Sequence, residues 1–194
     1  AVDAALDRVA QAIADFFTIQ EASGDLKGRK IVFIGDGNNV LNSLLILAAR
    51  LGATLYYATP KRYGPDRTLL VRALKEAKRT KARIVGSTRP AEAVRGADII
   101  YTDVWLSMGE ENEHDKRSYF QGFQVNKGLL RKAPKHVKVM HCLPAHRGEE
   151  ITNDVIEGRQ SIVFDQAENR LHVQKAVMMY LLGAPGRTTE NFSE

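Results

Sequence analysis

The chain has 194 residues, 44% of them hydrophobic and 26% charged, and a net charge of +5. This composition is typical of a globular protein and excludes the disordered and collagen-like classes, and the single cysteine excludes a disulfide scaffold. No apolar run approaches the roughly 20 residues of a membrane span. The first residues lack a basic segment followed by an apolar core, as a signal peptide would have. We therefore expect a soluble, cytoplasmic protein with no membrane partner.

The positive charge is concentrated between Lys61 and Asp98, where eleven Lys and Arg residues stand against four Asp and Glu residues. Such a stretch could bind nucleic acid or phosphate. Several of these cations, however, recur at helical spacing around Leu70 and Leu74, which is typical of a solvated helix face. We expect no nucleic-acid partner.

The hydrophobic pattern alternates between helical and strand periodicity along the chain. An amphipathic lead helix is predicted over residues 3–23, within a segment 1–25. Strands are predicted over residues 30–34, 54–58, 83–86, 98–102, 137–141 and 161–164. Helices are predicted from Asn38 or Asn39 to Leu51, over 66–80, after Pro90, as two polar stretches within 111–133, and over 166–183, before a tail at 184–194.

Strands that alternate with helices through short connections form a parallel sheet covered on both faces. The sequence therefore predicts an α/β fold, a Rossmann-like three-layer sandwich with a mostly parallel sheet. We expect a single domain over residues 1–194, with the sheet and its covering helices in 26–165. In such sheets ligands bind beyond the carboxyl ends of the strands, where the strand order reverses. Three loops with reactive or ligand-binding residue types follow predicted strands at that edge.

The first loop, Gly35-Asp36-Gly37-Asn38-Asn39-Val40, joins a predicted strand to a helix. It resembles the start of a dinucleotide fingerprint, but Val40 replaces the third glycine and no acid ends the next strand. The helix N-terminus instead suits a carboxylate or phosphate, and the Asn39 amide can donate to such an anion. Helix capping by asparagine and bracing of the turn by Asp36 are the structural alternatives.

The second loop follows the predicted strand at 98–102 and reads Asp103-Val104-Trp105-Leu106-Ser107-Met108-Gly109. Asp103 can pair with a substrate ammonium group, and the Ser107 hydroxyl can share that contact. Gly109 suits a loop that moves or approaches a ligand closely. The acids that follow are typical of the solvated start of a helix.

The third loop contains the only cysteine, Cys142, beside His141 and close to His146 and Arg147. Nearby cations lower the pKa of a thiol, so a reactive nucleophile is one hypothesis. A metal site is another, although one cysteine and scattered histidines do not form a closed ligand set. The bond between Leu143 and Pro144 is a candidate cis peptide.

Together these motifs resemble the ornithine carbamoyltransferase family, specifically its C-terminal, ornithine-binding domain. The resemblance covers nearly the whole chain, and the Ser-Met-Gly turn favours the ornithine branch of the superfamily over its aspartate and putrescine branches. The segments that carry it are Ala14–Gln20, Gly35–Asn39, Asp103–Gly109, His141–Arg147 and Glu168–Lys175.

The resemblance implies which residues bind L-ornithine. Asn39 would lie near the ornithine carboxylate, at the N-terminus of the helix. Asp103 and Ser107 would hold the α-ammonium group, and the Met108 backbone would shape the turn. Cys142 would lie beside the side-chain amine of ornithine as that amine reacts.

The resemblance also implies the second substrate and the reaction. Arg170, with the backbone of Cys142 and Leu143, would contact the carbamoyl group of carbamoyl phosphate. The implied catalytic residues are Cys142, Arg170 and Asp103, and the implied products are citrulline and phosphate, in arginine biosynthesis. Catalysis would come from orientation of a neutral amine and stabilisation of an oxyanion, with no metal and no cofactor.

The sequence departs from the family near its start. Family members have a further N-terminal domain with a Ser-Thr-Arg-Thr-Arg phosphate loop and a His-Pro-x-Gln motif, but the motif position here reads Arg8-Val9-Ala10-Gln11. We therefore expect an isolated ornithine-binding half that is inactive alone. The alternative is a non-catalytic or engineered amino-acid-binding scaffold.

The first and last helices carry apolar residues that cross between domains in the family. Without the other domain, these residues either repack on each other or form an apolar patch that drives self-association. The residues are Phe16, Phe17, Val177, Met178, Tyr180 and Leu181.

Overall fold

The computed structural model of the chain describes residues 2–106 and 116–183, with side chains from residue 9 onward. Five strands form one sheet in the order β3-β2-β1-β4-β5, and every neighbouring pair is parallel. The order reverses between β1 and β4. The predicted α/β, Rossmann-like fold is confirmed. The strands are β1 Lys30–Ile34, β2 Thr54–Ala58, β3 Arg83–Ser87, β4 Ile99–Thr102 and β5 Lys138–His141.

Helices cover both faces of the sheet. Helices α1 (Val2–Ser23), α2 (Asn39–Leu51) and α3 (Arg67–Thr80) lie on one face, and α7 (Val163–Leu181) packs beside α1 and against β5. The other face is covered by four short helices. These are α4 (Pro90–Ala93), a 3-10 helix (Lys116–Phe120), α5 (Lys127–Leu130) and α6 (Asn153–Ile156).

The alternation of side chains along each strand divides the core into two layers. Ile31 and Phe33 of β1 pack with α1, α2 and α3, whereas Val32 and Ile34 pack with the short helices on the opposite face. All four side chains are fully buried. A strand buried on both faces is apolar at consecutive positions, which explains why β1 reads as an unbroken hydrophobic run.

Two predicted elements differ in the structure. The predicted strand over residues 161–164 is wrong, because only Ser161 pairs, with Val139, before the chain turns into α7. The Gln166 N–H already donates to the Ile162 carbonyl, and Phe164 is exposed rather than buried as a strand residue would be. Two polar helices were predicted within 111–133. Among the described residues of this range, the structure has only the 3-10 helix and the four residues of α5.

The start of α2 fixes the first predicted loop. The Asn38 side chain accepts from the backbone N–H groups of Val40 and Leu41, and so caps the helix. Gly37 passes so close to the segment at Gly64 that an added Cβ would lie 2.2 Å from the Gly64 carbonyl carbon. Only glycine fits there, and this close approach holds the loop at the end of β1.

The apolar residues of the first and last helices are divided between core and surface. Phe16 is buried, whereas Phe17, Met178, Tyr180 and Leu181 are exposed, Tyr180 to 85%. The end of α7 therefore presents apolar side chains to solvent. No helix in the described ranges is long and apolar enough to cross a membrane.

Candidate functional site

A cavity of about 250 Å³ opens at the carboxyl edge of the sheet, beside the ends of β1, β4 and β5. The structure brings every described residue of the predicted site to its wall. Ser107 and Met108, predicted to contact ornithine, lie outside the described residues. The predicted residues that line the cavity are Asn39, Asp103, Cys142, Leu143 and Arg170.

Asp103, in the second predicted loop, is hydrogen-bonded to both of the other two loops. One carboxylate oxygen, Oδ2, accepts from the Asn38 side-chain amide at 2.7 Å, and the other, Oδ1, accepts from the Cys142 thiol at 2.9 Å. Asp103 is only 6% exposed, yet it contributes to the cavity wall. Asn38 therefore caps α2 and holds Asp103 in place, while the neighbouring Asn39 is exposed at the cavity.

Cys142 is held as a neutral thiol. Burial, followed by the negative charge of Asp103 and the hydrogen bond to it, raises the pKa of Cys142 well above its ordinary value. Two of the nearby basic residues proposed from the sequence to activate the thiol, His141 and Arg147, have other partners. Arg147 pairs with Glu157, and both ring nitrogens of His141 are engaged. The hypothesis of a reactive thiolate is therefore wrong for this geometry.

A buried histidine and glutamate support the third loop from behind. His141 Nδ1 accepts from the Leu143 N–H at 2.9 Å, so its Nε2 carries the proton and donates to Glu150 Oε1 at 3.0 Å. The same Glu150 oxygen accepts from the His146 N–H. Both ends of the loop are thereby fixed. The Leu143–Pro144 peptide bond is cis, as predicted.

The cavity wall contains a second buried carboxyl group besides Asp103, that of Asp15 in α1, which was not identified from the sequence. It accepts hydrogen bonds from the side chains of Gln11, Gln166 and Tyr101. Burial raises the pKa of Asp15 to about 7, and the three hydrogen bonds oppose that rise. Gln11, the remaining residue of the altered His-Pro-x-Gln position, also accepts from Arg170 Nη1 at 3.0 Å.

Metal-ligand atoms also meet at this edge of the sheet. Among the described residues, the ligand atoms of Asp103, His141 and Cys142 lie within 4.8 Å of one another, as do those of His146, Glu149 and Glu150. In the first group each of these atoms already takes part in a hydrogen bond. A metal ion there would have to displace the contacts that position Cys142 and Leu143.

Comparison with known proteins identifies the family. The family described as "Aspartate/ornithine carbamoyltransferase, Asp/Orn binding domain" matches residues 27–181. The chain belongs to this carbamoyltransferase family. An ornithine carbamoyltransferase of Prochlorococcus marinus is 52% identical over 179 residues, which cover 92% of this chain and 56% of that protein. One from Pyrococcus horikoshii is 51% identical, over 89% of this chain and 55% of its own length.

Solved structures of the carbamoyltransferase family agree with the fold. The ornithine carbamoyltransferase of Pyrococcus furiosus superposes with a TM-score of 0.86 at 48% identity, covering 91% of this chain and 57% of that one. The ornithine transcarbamoylase of Giardia lamblia gives a TM-score of 0.83 at 30% identity, over 91% of this chain and 60% of its own. The chain thus spans somewhat more than half the length of these relatives.

The Asp103–Cys142 contact predicts how Cys142 reacts with iodoacetamide. Because Cys142 is the only cysteine, the alkylation rate of the chain reports its thiolate alone. Asp103→Asn removes the negative charge beside the thiol, so we expect the rate-against-pH curve to move to lower pH and the rate at pH 8 to rise several-fold.

The control is Asp154→Asn, which removes an exposed carboxylate on α6 and should leave the curve in place. A uniform rise at every pH in Asp103→Asn would indicate a loosened loop. A curve that stays where the unsubstituted chain has it would contradict the electrostatic account.

Proposed function

We propose that the chain is the ornithine-binding half of an ornithine carbamoyltransferase, which converts carbamoyl phosphate and L-ornithine to citrulline and phosphate in arginine biosynthesis. The observation that carries this proposal is the contact of 2.9 Å between Asp103 and Cys142, on a cavity that Asn39 and Arg170 also line. An amine-binding carboxylate, an anion-binding helix start and a fixed cation thus surround one small space. The cytoplasmic location expected from composition stays a prediction.

Ornithine would bind with its charges matched to the cavity wall. The Asp103 carboxylate, buried and braced by Asn38, offers a fixed partner for the α-ammonium group. Asn39 is the first residue of α2, where free N–H groups and the helix dipole favour the ornithine carboxylate. Ser107 and Met108, in the segment that follows Asp103, are proposed to complete the ammonium site.

The carbamoyl group would lie between Cys142 and Arg170. In the transfer, a bond forms between the side-chain nitrogen of ornithine and the carbamoyl carbon. The bond from that carbon to the phosphate oxygen breaks, and the amine loses a proton, which the departing phosphate can accept. A neutral Cys142 thiol can contact the neutral amine without adding charge, and the Arg170 guanidinium can stabilise negative charge on the carbamoyl oxygen. The protein then acts by orienting the reactants and by electrostatics.

The 194-residue chain by itself is expected to turn over slowly or not at all. Arg8-Val9 stands where the family resemblance places the histidine and proline of a substrate-binding motif, and the relatives are nearly twice as long as the part matched here. The alternative is a scaffold that keeps the fold without a working site. Citrulline formation by the purified chain at ordinary enzyme rates would contradict the proposed inactivity.

Calorimetric titration with ornithine tests the binding proposal. Asn39→Ala removes a hydrogen-bond partner of a charged ligand group, so we expect its dissociation constant for ornithine to rise about tenfold. Gln121→Ala removes an equally exposed amide outside the cavity and should leave the constant unchanged.

The same titration is repeated with carbamoyl phosphate present. Tighter ornithine binding in its presence would show that the two ligands share a site. If the unsubstituted chain binds no ornithine, or if the two alanine variants behave alike, the scaffold alternative is correct.

We also propose that the exposed end of α7 mediates self-association. Met178, Tyr180 and Leu181 lie together on the last turns of this helix and face solvent. Burial of such side chains against a second copy is favourable by roughly 25 cal/mol per Å² of apolar surface removed from water.

Light scattering at several concentrations tests this surface. We expect the average mass of the chain to rise with concentration and to remain that of a monomer in the double variant Tyr180→Lys/Leu181→Lys. Val71→Lys, at an exposed apolar residue of α3, is the control and should not change the association. A strict monomer at every concentration would contradict the proposal.

A further inference from the structure

Asp15 lies on the cavity wall, at a point where α1, β4 and α7 meet. Its side chain is completely buried. Its Oδ1 accepts from the Nε2 groups of Gln11 in α1 and Gln166 in α7, each at 2.7 Å. Its Oδ2 accepts from the hydroxyl of Tyr101 in β4 at 3.0 Å. One carboxyl group therefore holds side chains from α1, β4 and α7.

These contacts fix the orientation of both glutamine amides. Because each Nε2 points at Asp15, each Oε1 points away from it and is available as an acceptor. Gln11 Oε1 accepts from Arg170 Nη1 at 3.0 Å, and Gln166 Oε1 accepts from the His141 backbone N–H at 3.0 Å. The two paths end at Arg170 and at the residue before Cys142.

We propose that Asp15 is a positioning residue, which orients the Arg170 guanidinium through Gln11 and the start of the Cys142 loop through Gln166. The inference rests on the proposed function, in which Arg170 and Cys142 contact the carbamoyl group. It adds a residue whose hydrogen bonds go to the two glutamines and to Tyr101, and which acts on Arg170 and on the Cys142 loop through the glutamines.

A purely structural role would not require a carboxyl group here. Asp15 shares α1 with the buried apolar residues Phe16 and Ile19, and an apolar residue in its place could join α1 to α7 without the desolvation of a carboxylate. An apolar residue, however, could not determine which way the two glutamine amides face. Asp15 can, because both of its oxygens accept hydrogen bonds.

The test compares Asp15→Asn with Asp15→Leu. The asparagine Oδ1 can still accept from both glutamines and its amide can donate to the Tyr101 oxygen, so the positions of Arg170 and Cys142 are kept. The leucine offers no acceptor. We expect Asp15→Leu to weaken carbamoyl phosphate binding about tenfold, with the ornithine constant changed less than twofold, and Asp15→Asn to restore carbamoyl phosphate binding.

Gln11→Leu is the second variant, since it removes the path from Asp15 to Arg170, leaves the path through Gln166 in place, and serves if Asp15→Leu does not fold. It should weaken carbamoyl phosphate binding to a similar degree. Equal weakening of both ligands in Asp15→Leu would indicate general disruption and overturn the proposal. So would unchanged carbamoyl phosphate binding in both leucine variants.

The ¹⁵N NMR signal of the Arg170 side chain tests the same inference without a ligand. We expect one sharp, dispersed Nε–H signal in the unsubstituted chain and in Asp15→Asn. In both leucine variants the signal should move toward that of the exposed Arg72, while the backbone spectrum keeps its dispersion. If the unsubstituted chain binds no carbamoyl phosphate, this chain alone does not form the proposed carbamoyl site, and this measurement still decides the role of Asp15. An Arg170 signal unchanged in both leucine variants overturns it.

Discussion

The parallel pairing of β1, β4 and β5 is the constraint on which the site depends. Ile34 pairs with Thr102, and Thr102 pairs with His141, so the three strands end side by side at one edge of the sheet. Asn38, Asp103 and Cys142 follow these ends and meet by hydrogen bonds across 65 and 39 residues of sequence. A slip of register in any of these strands would separate them.

Two buried carboxyl groups then give this edge its chemical character. Asp103 keeps Cys142 a thiol and is held by the residue that caps α2. Asp15 orders two glutamines behind Arg170 and the Cys142 loop. Burial raises the pKa of Asp15 to about 7. Ionisation of this carboxyl group therefore lowers the stability of the folded chain. The site is therefore organised by two carboxyl groups whose burial is itself unfavourable.

The sequence predicted the local elements well and the long-range contacts poorly. The strands at 30–34 and 54–58, the cap near Asn38 and the chemical loops at Asp103 and Cys142 follow from local periodicity and residue type. The apolar residues at 161–164 looked like a strand, because periodicity over four residues does not separate a strand from a helix start. Asp15 and Gln166, which are 151 residues apart, carry no local signal of their contact.

Whether one local cavity binds ornithine can be tested with a map of backbone amide chemical shifts during ornithine titration. We expect the largest shifts on residues 38–43, 102–106 and 141–146, which surround the cavity at the carboxyl edge. Shifts confined to α3 and β3, away from that edge, or no shifts at ornithine concentrations of several millimolar, would contradict ornithine binding at this cavity.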